Sequence, residues 1–178
     1  MLRNKNLIPL SRQHQHALAL CVRIERASPI PAADVNAWQS EIAQLCRSEI
    51  VIHFAAEEAL IFPAARRFGA LASLVDELLE EHSGLRESLA SADVQTMNAT
   101  DLSAFAQRLS AHIRKEERML FERVQELMSV EELNDLGGQL DEALNNSAQS
   151  CVIPTAVTQL QPAKTTGTHS HAVTSKDY

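Results

Sequence analysis

A chain of 178 residues is long enough to bury one sizeable core and short for two. Gly and Pro number only 5 and 6, while Leu, Ala, Glu, Gln and Arg are abundant, a balance that favours helix over sheet. The net charge of −7 argues against a nucleic-acid ligand, which needs a basic patch or stripe, so Arg3 to Lys5 and Arg66-Arg67 read as solvated helix ends.

The first helix is predicted from about Pro9 to Ala27, with Pro9 suited to a first turn, and it stops at Ser28-Pro29-Ile30-Pro31. A long second helix is predicted from Asp34 to Phe68, with Pro63 bending or unwinding its last turn and Gly69 as its C-terminal cap. The third covers Leu71 to Ser91, with Leu71, Leu74, Val75, Leu78, Leu85 and Leu89 on one face. The fourth starts at Thr100 or Asp101, both capping types, and runs to Met128 on the stripe Leu102, Phe105, Leu109, Ile113, Leu120, Val124 and Leu127. A short fifth helix follows Ser129, with Glu132 placed as in a capping box and Gly137-Gly138 weakening it.

From Asn145 the chain is rich in Ser, Thr, Ala and Gln and has no helical period, as expected of a disordered tail. The prediction is therefore an all-α, up-down-up-down four-helix bundle with a short fifth helix over residues 1–144, and a flexible C-terminal tail over 145–178. The N-terminal MLRNKNLIPLSRQH lacks a signal-peptide core, and no apolar run approaches the roughly 18 residues that span a bilayer. A cytoplasmic protein with no membrane partner is expected. Cys21, Cys46 and Cys151 form no C-x-x-C pair and read as reduced thiols, Cys46 as a small buried hydrophobe.

The polar residues that interrupt the apolar stripes carry the chemistry. In the fourth helix His112 follows Leu109 by three, Glu116 follows His112 by four, and Leu120 follows Glu116 by four. At 3.6 residues per turn His112 and Glu116 lie on the buried stripe, and Glu117 is about 100° further round. In the second helix Ile50, His53, Glu57, Leu60 and Ala64 step in the same way. Two carboxylates buried in one core are costly without a positive partner. No Lys falls on either stripe, so a metal is the economical partner.

The segments repeat one another: His53-Phe-Ala-Ala-Glu57-Glu58-Ala-Leu-Ile-Phe62 aligns with His112-Ile-Arg-Lys-Glu116-Glu117-Arg-Met-Leu-Phe121. Each is preceded by a helix with one inward His, His14 in the first and His82 in the third, whereas His16 should face solvent. Two such pairs would build a pseudo-symmetric site for two cations. Histidine with carboxylate suits first-row transition metals, iron in particular, over calcium or magnesium. Vacant coordination positions would mean ligand or redox chemistry rather than a structural metal.

The segments LSRQHQHAL, HFAAEEALIFP, EEHSGLR and HIRKEERMLF resemble the four helix signatures of the hemerythrin HHE cation-binding family, over residues 9–128. The resemblance implies a four-helix bundle with a non-haem di-iron centre of two iron ions, other divalent metals being possible. It implies a protein that binds or senses dioxygen, nitric oxide, peroxide or iron, more than a dedicated enzyme. Residue by residue it implies ligation by His14, His53, His82 and His112, with Glu57 bridging. Hemerythrins proper place the second bridge five residues after the last His, which selects Glu117, while stripe and repeat select Glu116, the choice preferred here. They also carry a second His four residues after the third-helix His, where this chain has Arg86. The missing ligand counts against clean reversible oxygen carriage. Arg86 either pairs with a carboxylate or anion or is a surface residue.

Glu58 and Glu117 are expected to be exposed and paired with Arg, and His169 and His171 in the tail to be incidental. A ferritin-like iron oxidase would need Glu-x-x-His, but Ile50, Leu79 and Leu109 stand three residues before His53, His82 and His112. A metal-free helical interaction module would leave Glu57 and Glu116 buried with no cation.

Overall fold

The computed structural model describes residues 2–150, which are helical throughout apart from turns and contain no strand. Helix α1 is Ile8–Arg26, α2 spans residues 35–66, α3 is Ala72–Asp93, α4 spans residues 99–127 and α5 is Val130–Ser150. Cys151, His169, His171 and the rest of the expected tail lie outside the described residues. Among the described residues, no helix is long and apolar enough to cross a membrane.

Local chemistry sets the helix ends. Asn4 accepts the Asn6 N–H and starts a 3-10 turn, Lys5–Leu7, that leads into α1 with Pro9 in its first turn. Helix α4 is capped by Asn98, earlier than expected. Its side chain accepts the N–H groups of Thr100 at 2.8 Å and Asp101 at 3.1 Å, and Asp101 returns a bond to the Asn98 N–H at 2.9 Å. Asp101 is thus the far half of a capping box rather than the cap. Ser129 and Glu132 make the expected box at the start of α5, at 3.2 and 2.9 Å. Helix α5 is not short. It runs through Gly137-Gly138 and past residue 144, because extending a formed helix adds a hydrogen bond for each residue fixed.

Gly69 does not cap α2. No glycine among the described residues has a positive φ; the chain leaves α2 through extended Phe68 and enters a 3-10 turn, Gly69–Leu71. Pro63 falls in the first turn of the last α-helical stretch, Phe62–Arg66, where a missing N–H is tolerated.

The buried apolar residues form two clusters, and the order in which each helix visits them gives the topology. Helix α1 passes from Leu10 in one cluster to Ala17 and Leu20 in the other; α2 returns from Ile50 and Phe54 to Ile61 and Phe62. Helix α3 goes from Leu78 to Leu85 and Leu89, and α4 from Leu109 and Ile113 to Leu120 and Phe121. The four helices therefore run up, down, up, down, and Leu133, Leu136 and Leu140 of α5 close the second cluster. Between the clusters lie His14, His53, Glu57, His82, His112 and Glu116, all buried.

Three π turns interrupt the long helices: the Val51 N–H bonds to the Cys46 carbonyl, Phe62 to Glu57, and Phe121 to Glu116. Each inserts one residue and rotates the helix beyond it, which corrects two expected stripes. In α2 the buried residues after Glu57 are Ile61, Phe62 and Ala65, with Leu60 and Ala64 only partly buried. In α4 Phe121 joins Leu120 in the core, and Met128 is buried in place of Leu127, which is 36% exposed. Such turns frequently sit at functional sites, and two of these begin at the buried glutamates.

Candidate metal centre

Steps of three and four along each stripe put one imidazole from every bundle helix into the same layer. His14 and His53 face each other with Nε2 atoms 2.8 Å apart, and His82 and His112 do so at 3.1 Å. Glu57 lies between the pairs, Oε1 being 3.2 Å from His53 Nε2 and Oε2 3.5 Å from His82 Nε2. Glu116 also reaches both, with Oε2 at 3.1 Å from His14 Nε2 and 3.3 Å from His112 Nε2, and Oε1 at 3.7 Å from His82 Nε2. Donor atoms of His14, His53, Glu57 and Glu116 all lie within 4.8 Å of one another, as do those of His82, His112 and Glu116.

Both glutamates are 0% exposed, and none of their four carboxylate oxygens accepts a hydrogen bond. An ionised carboxylate so placed costs several kcal/mol unless a positive charge sits beside it. Burial opposes charge on every one of these groups, yet the facing groups outweigh it. The carboxyl of Glu116 is held well below the usual range by His112, His14 and His82, and that of Glu57 is lowered by His53 and His82. In return Glu116 and its neighbours raise His14 to about 9 and His112 to about 10, and raise His82 as well. The cluster is built to attract positive charge, and its nitrogen and carboxylate donors fit a transition-metal cation.

A second layer sets the imidazole orientations. The Nδ1 atom of His14 lies 2.7 Å from Glu117, that of His82 2.7 Å from Glu58, that of His112 2.8 Å from Glu81 and that of His53 2.9 Å from Gln13. With Nδ1 held outward, each Nε2 is turned to the centre. Glu117 also binds Arg3 at 2.6 Å and Ser11 at 2.7 Å, and Glu58 binds Arg86 at 2.8 Å. The expected Arg pairs are present, but Glu58 and Glu117 are half-buried supports for the imidazoles rather than exposed residues. Arg86 pairs with a carboxylate, and its guanidinium also lies 5.4 Å from the Phe54 ring centre. His16 is exposed and pairs with Glu49.

The repeated phenylalanines share a task that periodicity does not reveal. Phe121 stacks on His14 at 5.6 Å, and Phe62 packs on His82 at 5.2 Å. Each follows its glutamate by five residues, so only the π turn brings it under the glutamate. Gln13 and Glu81 also leave no mark on the apolar stripes, although both immediately precede an inward His. A cavity of about 20 Å³ opens beside the His14–His53 pair, lined by Gln13, Ala17, Ile50, Leu109 and Ile113 among others.

No curated protein and no solved structure matches the chain. The family model described as hemerythrin HHE cation binding domain matches residues 9–124, from the start of α1 to the middle of the last turns of α4 and so across all six converging residues. The chain belongs to the hemerythrin HHE cation-binding family.

Proposed function

We propose that the chain holds a non-haem centre of two iron ions and uses it to bind or sense a small ligand such as dioxygen, nitric oxide or peroxide. The carrying observation is the pair of fully buried carboxylates with four unbonded oxygens, each reaching imidazoles of both halves. On this reading His14 and His53 hold one cation, His82 and His112 the other, and Glu57 and Glu116 are shared by both. Glu117 remains on the imidazole of His14 rather than acting as the alternative bridge.

Iron held by such a donor set supplies ligand exchange and one-electron chemistry when bound. The chain's own residues do the rest. Two imidazoles and two shared carboxylates per cation leave coordination positions for a guest. The cavity beside His14 and His53 exceeds the roughly 10–15 Å³ that one water requires, which suits a guest of a few atoms. Its apolar walls, Ala17, Ile50, Leu109 and Ile113, limit the water around that guest.

The test is anaerobic loading with iron(II), metal counting, and absorption spectra before and after air. The expected result is two ions per chain, matching the two donor groups, and a charge-transfer band that appears on exposure to air. A chain that retains no iron after desalting would leave the metal-free interaction module as the better reading.

A further inference from the structure

The internal repeat relates α1 and α2 to α3 and α4. His14 corresponds to His82, His53 to His112, Glu57 to Glu116, Glu58 to Glu117, and Gln13 to Glu81. The last correspondence alone changes charge. Behind the His82–His112 pair stand two carboxylates, Glu58 and Glu81, at 2.7 and 2.8 Å from Nδ1. Behind the His14–His53 pair stand one carboxylate, Glu117 at 2.7 Å, and the amide oxygen of Gln13 at 2.9 Å.

We propose that the two cation positions fill in order, the His82–His112 position first, because Glu81 backs His112 with a charge where Gln13 backs His53 with a neutral amide. The inference rests on the two-cation reading of the site. A carboxylate accepting the Nδ1–H makes imidazole a stronger donor at Nε2, and losing such a partner typically costs about 10–100-fold in metal affinity. An amide oxygen orients the ring without supplying that charge.

Neighbouring charges do not cancel the difference. Lys115 binds Glu81 but also binds Glu77 at 2.5 Å, so that group keeps a net negative charge. Arg86 on Glu58 is matched by Arg3 on Glu117. Glu49 lines the cavity near Gln13 and His53, but it bonds His16 at 2.9 Å while the Nδ1 of His53 bonds Gln13, so it does not back His53 directly as Glu81 backs His112. With no second histidine on α3 to set the cations apart, this supporting layer distinguishes the positions by charge.

The experiment titrates the metal-free full chain with zinc(II) against a chromophoric chelator, zinc being redox-inert. Two binding events are expected, separated by about tenfold or more. Glu81→Gln should weaken the tighter event and leave the weaker one, drawing the two together. Gln13→Glu should tighten the weaker event by a similar factor. His53→Ala should keep the tight event, and His112→Ala should lose it. Helical circular dichroism of the metal-free variants checks folding, and if Glu81→Gln does not fold, Gln13→Glu carries the test. Two equal events in the unaltered chain, or a tight event that survives in His112→Ala, overturn the filling order while leaving the two-cation reading standing. Fewer than two zinc ions bound overturn both.

Discussion

Glu116 and Glu117 are neighbours in sequence with opposite environments. The first is 0% exposed and touches imidazoles at Nε2; the second is half-buried and touches His14 from behind at Nδ1. On the two-cation reading each carboxylate is shared, so Glu116→Ala is expected to lose both cations, as is Glu57→Ala. Glu117→Ala should retain both, with affinity at one position down about 10–100-fold. Metal counting after desalting separates the two. Full retention in Glu116→Ala would show that it is not a shared ligand. A second residue-scale contrast concerns the adjacent glycines of α5. A Cβ on Gly137 would lie 2.5 Å from the Asn6 side chain, whereas one on Gly138 meets nothing within 4 Å. Gly138→Ala should stabilise the fold by about 1 kcal/mol through helix propensity. Gly137→Ala should destabilise it despite the same propensity gain, because the N-terminal turn must move. Urea midpoints of the two variants check both signs.

At the scale of elements, the inward histidines were legible because stripe steps of three and four place them among leucines and isoleucines. The repeat around His53 and His112 was legible for the same reason. What lay downstream of Glu57 and Glu116 was not, since a π turn adds a residue that no periodic template anticipates. The apolar stripes predict Leu60, Ala64 and Leu127 in the core, where the chain buries Ile61, Ala65 and Met128. The turn in α4 also explains the role of Arg3. The Phe121 N–H passes over the Glu117 carbonyl to reach Glu116, and Arg3 Nη2 bonds that carbonyl at 2.7 Å. Gln39 is a second element that patterning could not find, a polar residue 0% exposed on α2. Its side-chain oxygen accepts the Met97 N–H at 2.8 Å and so ties the α3–α4 loop to α2. Gln39→Leu keeps the bulk and strands a buried donor, which should cost about 1–3 kcal/mol. A shift of the urea midpoint to lower concentration with an unchanged slope is the expected signature; no shift would mean the loop finds another acceptor.

For the whole molecule, the polar layer divides the apolar core into two clusters, each formed by residues of all four bundle helices. Neither cluster depends on a cation for its packing, so the metal-free chain should stay helical. Metal adds stability by mass action, about 2.7 kcal/mol when the free ion stands at 100 times its dissociation constant. The layer itself is a liability without metal. Glu57 and Glu116 present four buried oxygens that accept no hydrogen bond, and replacing buried ionic groups by packed apolar ones is often neutral or stabilising by about 1–4 kcal/mol. The double variant Glu57→Leu, Glu116→Leu should therefore unfold at higher urea than the unaltered chain when both are metal-free. With each Nδ1–H held by its outward partner, one imidazolium in each facing pair, His14 with His53 at 2.8 Å and His82 with His112 at 3.1 Å, donates its Nε2–H to the other ring and keeps the Nε2 atoms paired in that variant. Added iron(II) should raise the midpoint of the unaltered chain and leave that of the double variant unmoved. A double variant less stable than the metal-free parent would show that the carboxylates, through their pairing with the raised imidazoles, contribute net stability to the fold. The layer would then be a structural asset rather than a stability cost retained for binding.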